Sequence, residues 1–412
     1  MTIDDNICYN YSVKKAFSII GAFAASIIMA LPLFGCAASG YTVFSETAAF
    51  SSDIMFSAKI LGGRAKYAYN RMKSVIADID AQVSLTQKNS DLSRFNAAAA
   101  GIPVKVGKYC YEIFNVATVY FEATDGAFNV AAAPLVELWH VDADSIADYR
   151  PDIDGAHVSP PLPSKEDVDA AREYCDPTLV TASEEGGSYY LTKADERVKL
   201  DFGGIAKGYA IDECVKILGE YDISSALIDI SGNAYFYGDY IKNNEHTDWK
   251  VGVASPRPRS GETLSRGYVC AVRLGGGVSA VTSGDYNRYY IHDSAGGGKV
   301  YVPHIIGTDG APIGVEYEGG EWVNGGEPVI SATVIGKSSA NCDALSTAVC
   351  ALGIEKGASL LRKVGCKGLI FTEKRFTIIG DVALYDTNKY GGYKAYEYFD
   401  VLAAAVGCDN EP

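Results

Sequence analysis

The residues best suited to chemistry lie in two separate stretches, and the first is a glycine turn. Gly203 and Gly204 separate an alternating apolar segment from a segment with helical spacing. A helix that begins here leaves backbone N–H groups without partners, and glycine lets a ligand approach the main chain, which suits a nucleotide phosphate. A tight connection whose glycines serve packing alone is the alternative. The spacing matches neither a dinucleotide-fold nor a P-loop motif.

The second stretch is SSANCDALSTAVCALG, residues 338–353. Asp343, Ser346 and Thr347 are three and four residues apart, so a helix places their oxygens on one side. Carboxylate and hydroxyl oxygens suit a hard divalent cation such as Mg²⁺, which takes few protein carboxylates. The alternative is that Asp343 only offsets the helix dipole while the two hydroxyls bond locally.

The surrounding pattern predicts the elements that position these residues. Val198, Leu200 and Phe202 alternate as in a half-buried strand, and apolar residues from Ile205 to Leu218 recur with helical spacing. The pattern therefore predicts a strand, a glycine turn and a helix, with Gly219 as the helix stop. Further helices are predicted at 65–79, 106–123 and from Ser164, and strands at 226–230, 251–255, 268–274 and from 278. This is an α+β fold with a sheet packed against helices.

The N-terminus has the pattern of a secretory signal. Lys14 and Lys15 precede an apolar run from Ala16 to Leu33, and the sequence LFGC ending at Cys36 resembles a bacterial lipobox. We therefore expect a signal peptide at 1–35, lipidation at Cys36, a tether at 36–50 and a folded domain at 51–405. An uncleaved membrane helix is the alternative. Both readings place the mature protein outside the cytoplasm and attached to the bacterial cell membrane.

The charge and the cysteine spacing argue against a nucleic-acid partner and against a zinc site. The net charge is −15 over 412 residues, and no run of Lys and Arg forms a basic stripe, which argues against a nucleic-acid partner. An acidic protein that handles phosphates needs a cation or a local positive patch. Eight of the ten cysteines remain once Cys8 and Cys36 are set aside, and none forms a C-x-x-C pair, which argues against zinc. The sequence leaves their pairing open.

Six segments in order resemble the bacterial FAD:protein FMN transferases of the ApbE type. They cover the chain from about residue 45 to about residue 400, behind the lipobox. The segments are SDLSRFN (90–96), TDGAFNVAAAPLVELW (124–139), LDFGGIAKGYAID (200–212), TSGDY (282–286), HIIGTDGAP (304–312) and DALSTAVCALG (343–353).

The resemblance implies a T-fold-like mixed α/β domain that binds FAD and Mg²⁺. Such an enzyme attaches the FMN of FAD to a Thr or Ser hydroxyl of an acceptor protein and releases AMP. By analogy His304 assists proton transfer. The metal would be held by the carbonyl of Ala206 and the side chains of Asp343 and Thr347, with Ser346 close by. The flavin and nucleotide contacts would be Ser52, Thr86, Ala127, Phe128, Asn129, Gly203, Tyr209 and Ile306.

The chain departs from the family pattern at three places. Asn129 stands where the family usually has Asp, which keeps hydrogen-bonding capacity and removes a negative charge. The segment 304–312 has Gly307 and Thr308 in place of Asp-Pro and is one residue shorter. Residues 231–233 read Ser-Gly-Asn where Gly-Gly-Asp is commoner, a change expected to alter a turn.

Two other functions fit the same residues. One is an FAD pyrophosphatase, in which water replaces the protein hydroxyl and FAD yields FMN and AMP. The other is a membrane-tethered flavin-binding lipoprotein without catalysis. For the transferase, the expected partner is an extracytoplasmic redox protein that accepts the flavin.

Overall fold

A computed structural model describes residues 43–49, 54–143, 145–146, 159–242, 244–257, 268–286, 288–294, 297–385 and 400–402. The predicted signal peptide, Cys36 and Ser52 lie outside these residues. Seven cysteines lie within them, and none of the seven is in a disulfide.

The described strands, in chain order, are β1 (Val43–Ala49), β2 (Met55–Gly62), β3 (Val104–Val106), β4 (Val180–Glu185), β5 (Ser188–Lys193), β6 (Ile223–Ile230), β7 (Asn233–Tyr237), β8 (Tyr240–Lys242), β9 (Glu245–Thr247), β10 (Trp249–Ala254), β11 (Tyr268–Leu274), β12 (Val278–Gly284), β13 (Tyr289–Asp293), β14 (Lys299–Pro303), β15 (Val315–Glu318), β16 (Glu321–Asn324), β17 (Ser331–Gly336), β18 (Lys367–Phe371), β19 (Arg375–Ile379), β20 (Ala383–Tyr385) and β21 (Asp400–Leu402). The described helices are α1 (Ala65–Val83), α2 (Asp91–Ala97), α3 (Lys108–Ala123), α4 (Ala133–Leu138), α5 (Lys165–Arg172), α6 (Ala206–Glu220) and α7 (Ser339–Lys363), with a 3₁₀ turn at Pro177–Leu179.

A large sheet of nine described strands forms the centre of the fold. Its order is β1-β2-β6-β7-β12-β17-β18-β19-β21, and its pairs are antiparallel except for β19 with β21. The α+β prediction is confirmed. The prediction of a tether at 36–50 is wrong in its second half, because Val43–Ala49 pairs with β2 as an edge strand.

The two faces of the central sheet pack against different cores, because successive side chains along each strand point to opposite faces. Ile228 and Ile230 of β6 face a core that also contains residues of α1, α6 and α7. Phe236 of β7 and Leu369 of β18 face a second core, which packs against the small sheet β10-β11-β20. A third core around Trp139 and Trp322 lies under β13–β16 and α5.

The predicted strand at Val198–Phe202 is wrong, although its pattern of burial is right. Val198, Leu200 and Phe202 are buried, but this extended segment pairs with no strand of the described chain. The side chain of Asn96 instead bonds both the N–H and the C=O of Leu200, each at 2.8 Å. Asn96 thus satisfies both backbone groups of Leu200. The Val130 carbonyl accepts from the Asp201 N–H, and Lys193 Nζ donates to the Val198 carbonyl.

Helix boundaries follow local chemistry. Ser164 caps α5 by accepting a hydrogen bond from the N–H of Asp167 at 3.0 Å, as its sequence pattern predicts. Gly219 does not stop α6, which continues to Glu220. Gly353 interrupts α7 with φ +76°, but helix resumes beyond it. Helix α7 is long and apolar enough to cross a membrane, yet most of its first half is buried in the core.

Candidate active site

The start of α6 lies against α7 at very short range. A Cβ at Gly208 would lie 2.3 Å from the carbonyl oxygen of Ser339, so only glycine allows this contact. Asp212 of α6 accepts hydrogen bonds from the Ser338 hydroxyl and from the N–H groups of Ser339 and Ala340, at 2.7 to 3.0 Å. Asp212 therefore caps the start of α7 and fixes its position relative to the glycine turn.

Because of this packing, Asp343 lies at the N-terminus of α6. The Gly208 N–H, one of the unpaired donors of the first helical turn, donates to Asp343 Oδ2 at 2.9 Å. Lys207 Nζ lies 3.6 Å from Asp343 Oδ1 and donates to the Gly203 carbonyl at 2.7 Å. The two stretches singled out in the sequence, which are about 140 residues apart, meet at one point.

Hydroxyl groups continue this polar surface beside the carboxylate. Ser283 Oγ lies 2.7 Å from Ser346 Oγ and 3.2 Å from Thr347 Oγ1. A Cβ at Gly204 would lie 3.1 Å from the Phe128 ring and 3.4 Å from Thr347 Oγ1, so the turn approaches Thr347 closely. The glycine at 204 keeps the space in front of the hydroxyl open.

The glycine turn, Lys207, Asp343, Ser283 and Thr347 line a cleft of about 1310 Å³. Pockets for drug-sized ligands hold roughly 300–1,000 Å³, so this cleft is large enough for a dinucleotide. Ten of the predicted site residues lie in its wall: Thr86, Ala127, Phe128, Asn129, Gly203, Ala206, His304, Ile306, Asp343 and Thr347.

Two predicted site residues do not line the cleft. Tyr209 is 7% exposed, its hydroxyl donates to Glu112 of α3, and its ring packs edge-on against Tyr109. The predicted flavin contact at Tyr209 therefore has no support from its position, because the residue lies on a face of α6 turned towards α3. Ser346 is fully buried, and its hydroxyl donates to the Asp343 carbonyl at 2.9 Å. It therefore holds the helical turn that carries Asp343 and Thr347 and does not reach the cleft itself.

His304 lies in the cleft wall in its neutral form. Burial lowers its pKa to about 3, and the nearby charges of Arg288 and Lys207 act in the same direction. Its Nδ1 lies 3.2 Å from the carbonyl oxygen of Arg288. A carbonyl only accepts, so Nδ1 carries the proton and Nε2 keeps its lone pair. Nε2 therefore has the lone pair that a general base requires, while a pKa of about 3 makes it a weak base in the ligand-free protein.

Asn129 is fixed by its neighbours. Its Nδ2 donates to the Cys175 carbonyl at 2.7 Å, and its Oδ1 accepts from the Ala131 N–H at 2.8 Å. An aspartate at this position would have no donor for the Cys175 carbonyl. The amide therefore suits this chain for a reason that its sequence does not reveal.

The side chains around Asp343 fit a divalent cation of the hard type. Asp343 is 2% exposed, and its only neighbouring cation within 4 Å among the described residues is Lys207. Hydroxyl and carboxylate oxygens are the donors that Mg²⁺ prefers, and one protein carboxylate is enough when phosphate supplies other oxygens. The described part of the chain contains no group of three His, Cys, Asp or Glu residues that could hold a metal ion.

Two residues of this site were not predicted from the sequence. Ser283 belongs to the TSGDY segment, which marked the region without assigning the hydroxyl a role. Lys207 follows Ala206 directly, and its proximity to Asp343 depends on the packing of α6 against α7. Neither contact has a signal in the local sequence.

Comparison with known proteins agrees with this geometry. A model of the ApbE family matches residues 50–370. The FAD:protein FMN transferase of Treponema pallidum (strain Nichols) is 30% identical over 304 residues, covering 71% of this chain and 74% of that protein. The FAD:protein FMN transferase of Escherichia coli (strain K12) is 26% identical over 321 residues, covering 77% and 81%.

Solved structures share the fold. The apo form of the Pseudomonas stutzeri flavinyl transferase ApbE superposes with a TM-score of 0.64 at 24% identity, covering 88% of this chain and 99% of that one. The Vibrio cholerae flavin transferase ApbE gives 0.62 at 22% identity, covering 85% and 99%. The same architecture and a family match over more than half of the sequence lead to one conclusion: the chain belongs to the ApbE family.

Proposed function

We propose that the protein transfers the FMN moiety of FAD to a Ser or Thr hydroxyl of an acceptor protein and releases AMP. The observation that carries this proposal is one cleft that joins the glycine turn, the Asp343 carboxylate and a neutral His304. Curated relatives across most of the chain bear the name FAD:protein FMN transferase, which supports the same reaction.

Different residues of the cleft have different roles in the proposed reaction. Ala206 at the N-terminus of α6 and the side chain of Lys207 line the cleft, and the positive end of the helix dipole and the lysine charge would attract the diphosphate. The acceptor hydroxyl attacks the phosphorus of the FMN half, its proton passes to Nε2 of His304, and the bond from that phosphorus to the oxygen of AMP breaks. The products are a phosphoester between FMN and the acceptor, and free AMP.

Magnesium is the metal that these residues fit. Asp343 and Thr347 would hold it with their side chains, and Ala206 with its carbonyl. The bound ion would offset charge on the phosphoryl group as it is transferred. Ser283 and Ser346 support Thr347 and the turn that carries Asp343, so their contribution is to keep the ligands in place.

The decisive experiment separates transfer from hydrolysis. Purified protein is incubated with FAD and Mg²⁺, with and without an extracytoplasmic redox protein as acceptor. Covalent flavin mass on the acceptor together with AMP supports transfer, while AMP release without acceptor supports the pyrophosphatase. An Asp343→Ala protein that processes FAD as the wild type does would refute the site, and no FAD processing by either protein would leave a binding lipoprotein.

The N-terminal pattern supports a location outside the cytoplasm, anchored to the membrane by lipid on Cys36. The acceptor of the flavin would then be a redox protein on the same side of the membrane. Metabolic labelling with a fatty acid tests the anchor, because Cys36→Ser should abolish labelling and release the protein from the membrane fraction. Labelling that persists in the variant would contradict the assignment.

A further inference from the structure

The hairpin between β6 and β7 forms part of the cleft wall next to the candidate active site. Its turn residues Ser231 and Gly232 have positive φ angles of 46° and 91°. Ser231 is tied to Met55 of β2 by two hydrogen bonds of 2.9 Å, one through its hydroxyl and one through its N–H. The first residue after this turn, Asn233, is therefore held on a rigid support.

Asn233 has an unused hydrogen-bond donor. Its side chain is 1% exposed, it lines the cleft, and its Nδ2 is buried without any hydrogen-bond partner in the structure. Buried donors in proteins are nearly always paired, so an orphan at a ligand cleft points to a partner that arrives with the ligand.

The strand register places this donor beside the oxygen-rich surface. Asn233 is paired with Val281 of β12, and the two side chains project from the same face of the sheet. Ser283 lies two residues further along β12 and therefore projects from that face as well. Its hydroxyl contacts Ser346 and Thr347, next to Asp343. Asn233 is therefore a diagonal cross-strand neighbour of Ser283.

We propose that Asn233 is a positioning residue that donates a hydrogen bond from Nδ2 to an oxygen of the FAD diphosphate. This inference rests on the proposed binding of FAD in the cleft. An amide donor recognises phosphate oxygens without adding a charge, and a bond to an ionised acceptor is among the stronger hydrogen bonds. Asn233 and Lys207 both line the cleft, so the amide would add a neutral donor to the positive charge of the lysine.

Binding to ADP, FMN, adenosine and riboflavin, measured by calorimetry with Mg²⁺ present, tests the inference. Asn233→Leu removes the donor at similar volume and adds no charge. We expect it to weaken ADP and FMN binding about tenfold and to leave adenosine and riboflavin nearly unchanged. Asn115→Leu on α3, outside the cleft, is the matched control and should bind as the wild type does.

Thermal unfolding separates positioning from a structural role. Since Nδ2 bonds nothing in the ligand-free protein, Asn233→Leu should melt at or above the wild-type temperature while its ADP affinity falls. A variant that unfolds at lower temperature with unchanged affinity would overturn the inference, as would equal losses for ADP and adenosine. If the wild type binds FAD and Asn233→Leu binds it equally well, only the inference fails. If the wild type does not bind FAD, the proposed function fails and the inference with it.

Discussion

Replacing Asp229 with asparagine is expected to stabilise the protein at neutral and alkaline pH but not in acid. Asp229 is the last-but-one residue of β6, and its Oδ2 is buried without a hydrogen-bond partner. Its Oδ1 has one long contact, 3.4 Å from the Gly232 N–H. Burial raises the pKa of this carboxyl from 3.8 to about 7, and the backbone hydrogen bond only partly opposes the shift.

The sign of the effect follows from proton linkage. Between pH 4 and pH 7 the folded protein holds a proton on Asp229 that the unfolded chain releases, so folding stability falls as pH rises through this range. A pKa that rises from 3.8 to about 7 corresponds to about 4 kcal/mol as an upper limit. Contact with the cleft reduces this figure, and we expect a gain of about 1–4 kcal/mol for Asp229→Asn at pH 8.

Urea unfolding at pH 4, 6, 7 and 8 measures the effect as a difference between wild type and variant. The difference should be close to zero at pH 4 and grow up to pH 8. Asp248→Asn, an exposed aspartate beside β10, is the matched control and should show no such trend. A constant difference between Asp229→Asn and the wild type across this range would refute the reasoning.

Three further substitutions test the site. Gly204→Ala brings a methyl group to 3.1 Å from the Phe128 ring and fills the space in front of Thr347, so FAD affinity measured by flavin fluorescence should fall about tenfold, while unchanged affinity would argue against a ligand at this turn. Asp343→Asn can still accept from the Gly208 N–H but loses its charge; calorimetry should show Mg²⁺ affinity lost while the fold persists, and retained affinity would place the metal elsewhere. His304→Gln should slow AMP release about 10²–10⁴-fold with FAD affinity intact. Because the pKa of His304 is about 3, wild-type activity should not fall through its protonation between pH 5 and pH 8, and a His-dependent loss near pH 6.5 would contradict this placement.

Local patterns predicted most of the helices but only four of the described strands, β6, β10, β11 and β12. The apolar spacing predicts α1, α3 and α6 to within a few residues, because each helix buries one face. Helices α1 and α6 pack against the central sheet, and α3 packs against α1, α7 and the strands β4 and β5. The same logic fails at Val198–Phe202. Alternation reports which side chains are buried, but it does not say whether the backbone is paired by a strand or by the side chain of Asn96.

The sequence by itself determined which residue types are available for the chemistry: a glycine turn, one carboxylate with two hydroxyls at helical spacing, and a histidine in a polar loop. Only the tertiary structure decided that these groups share a cleft, because their contacts depend on the close packing of α6 against α7 at Gly208. The structure also decided their electrostatics. The low pKa of His304 and the unpaired donor of Asn233 arise from burial among residues far away in the chain, which no local pattern records.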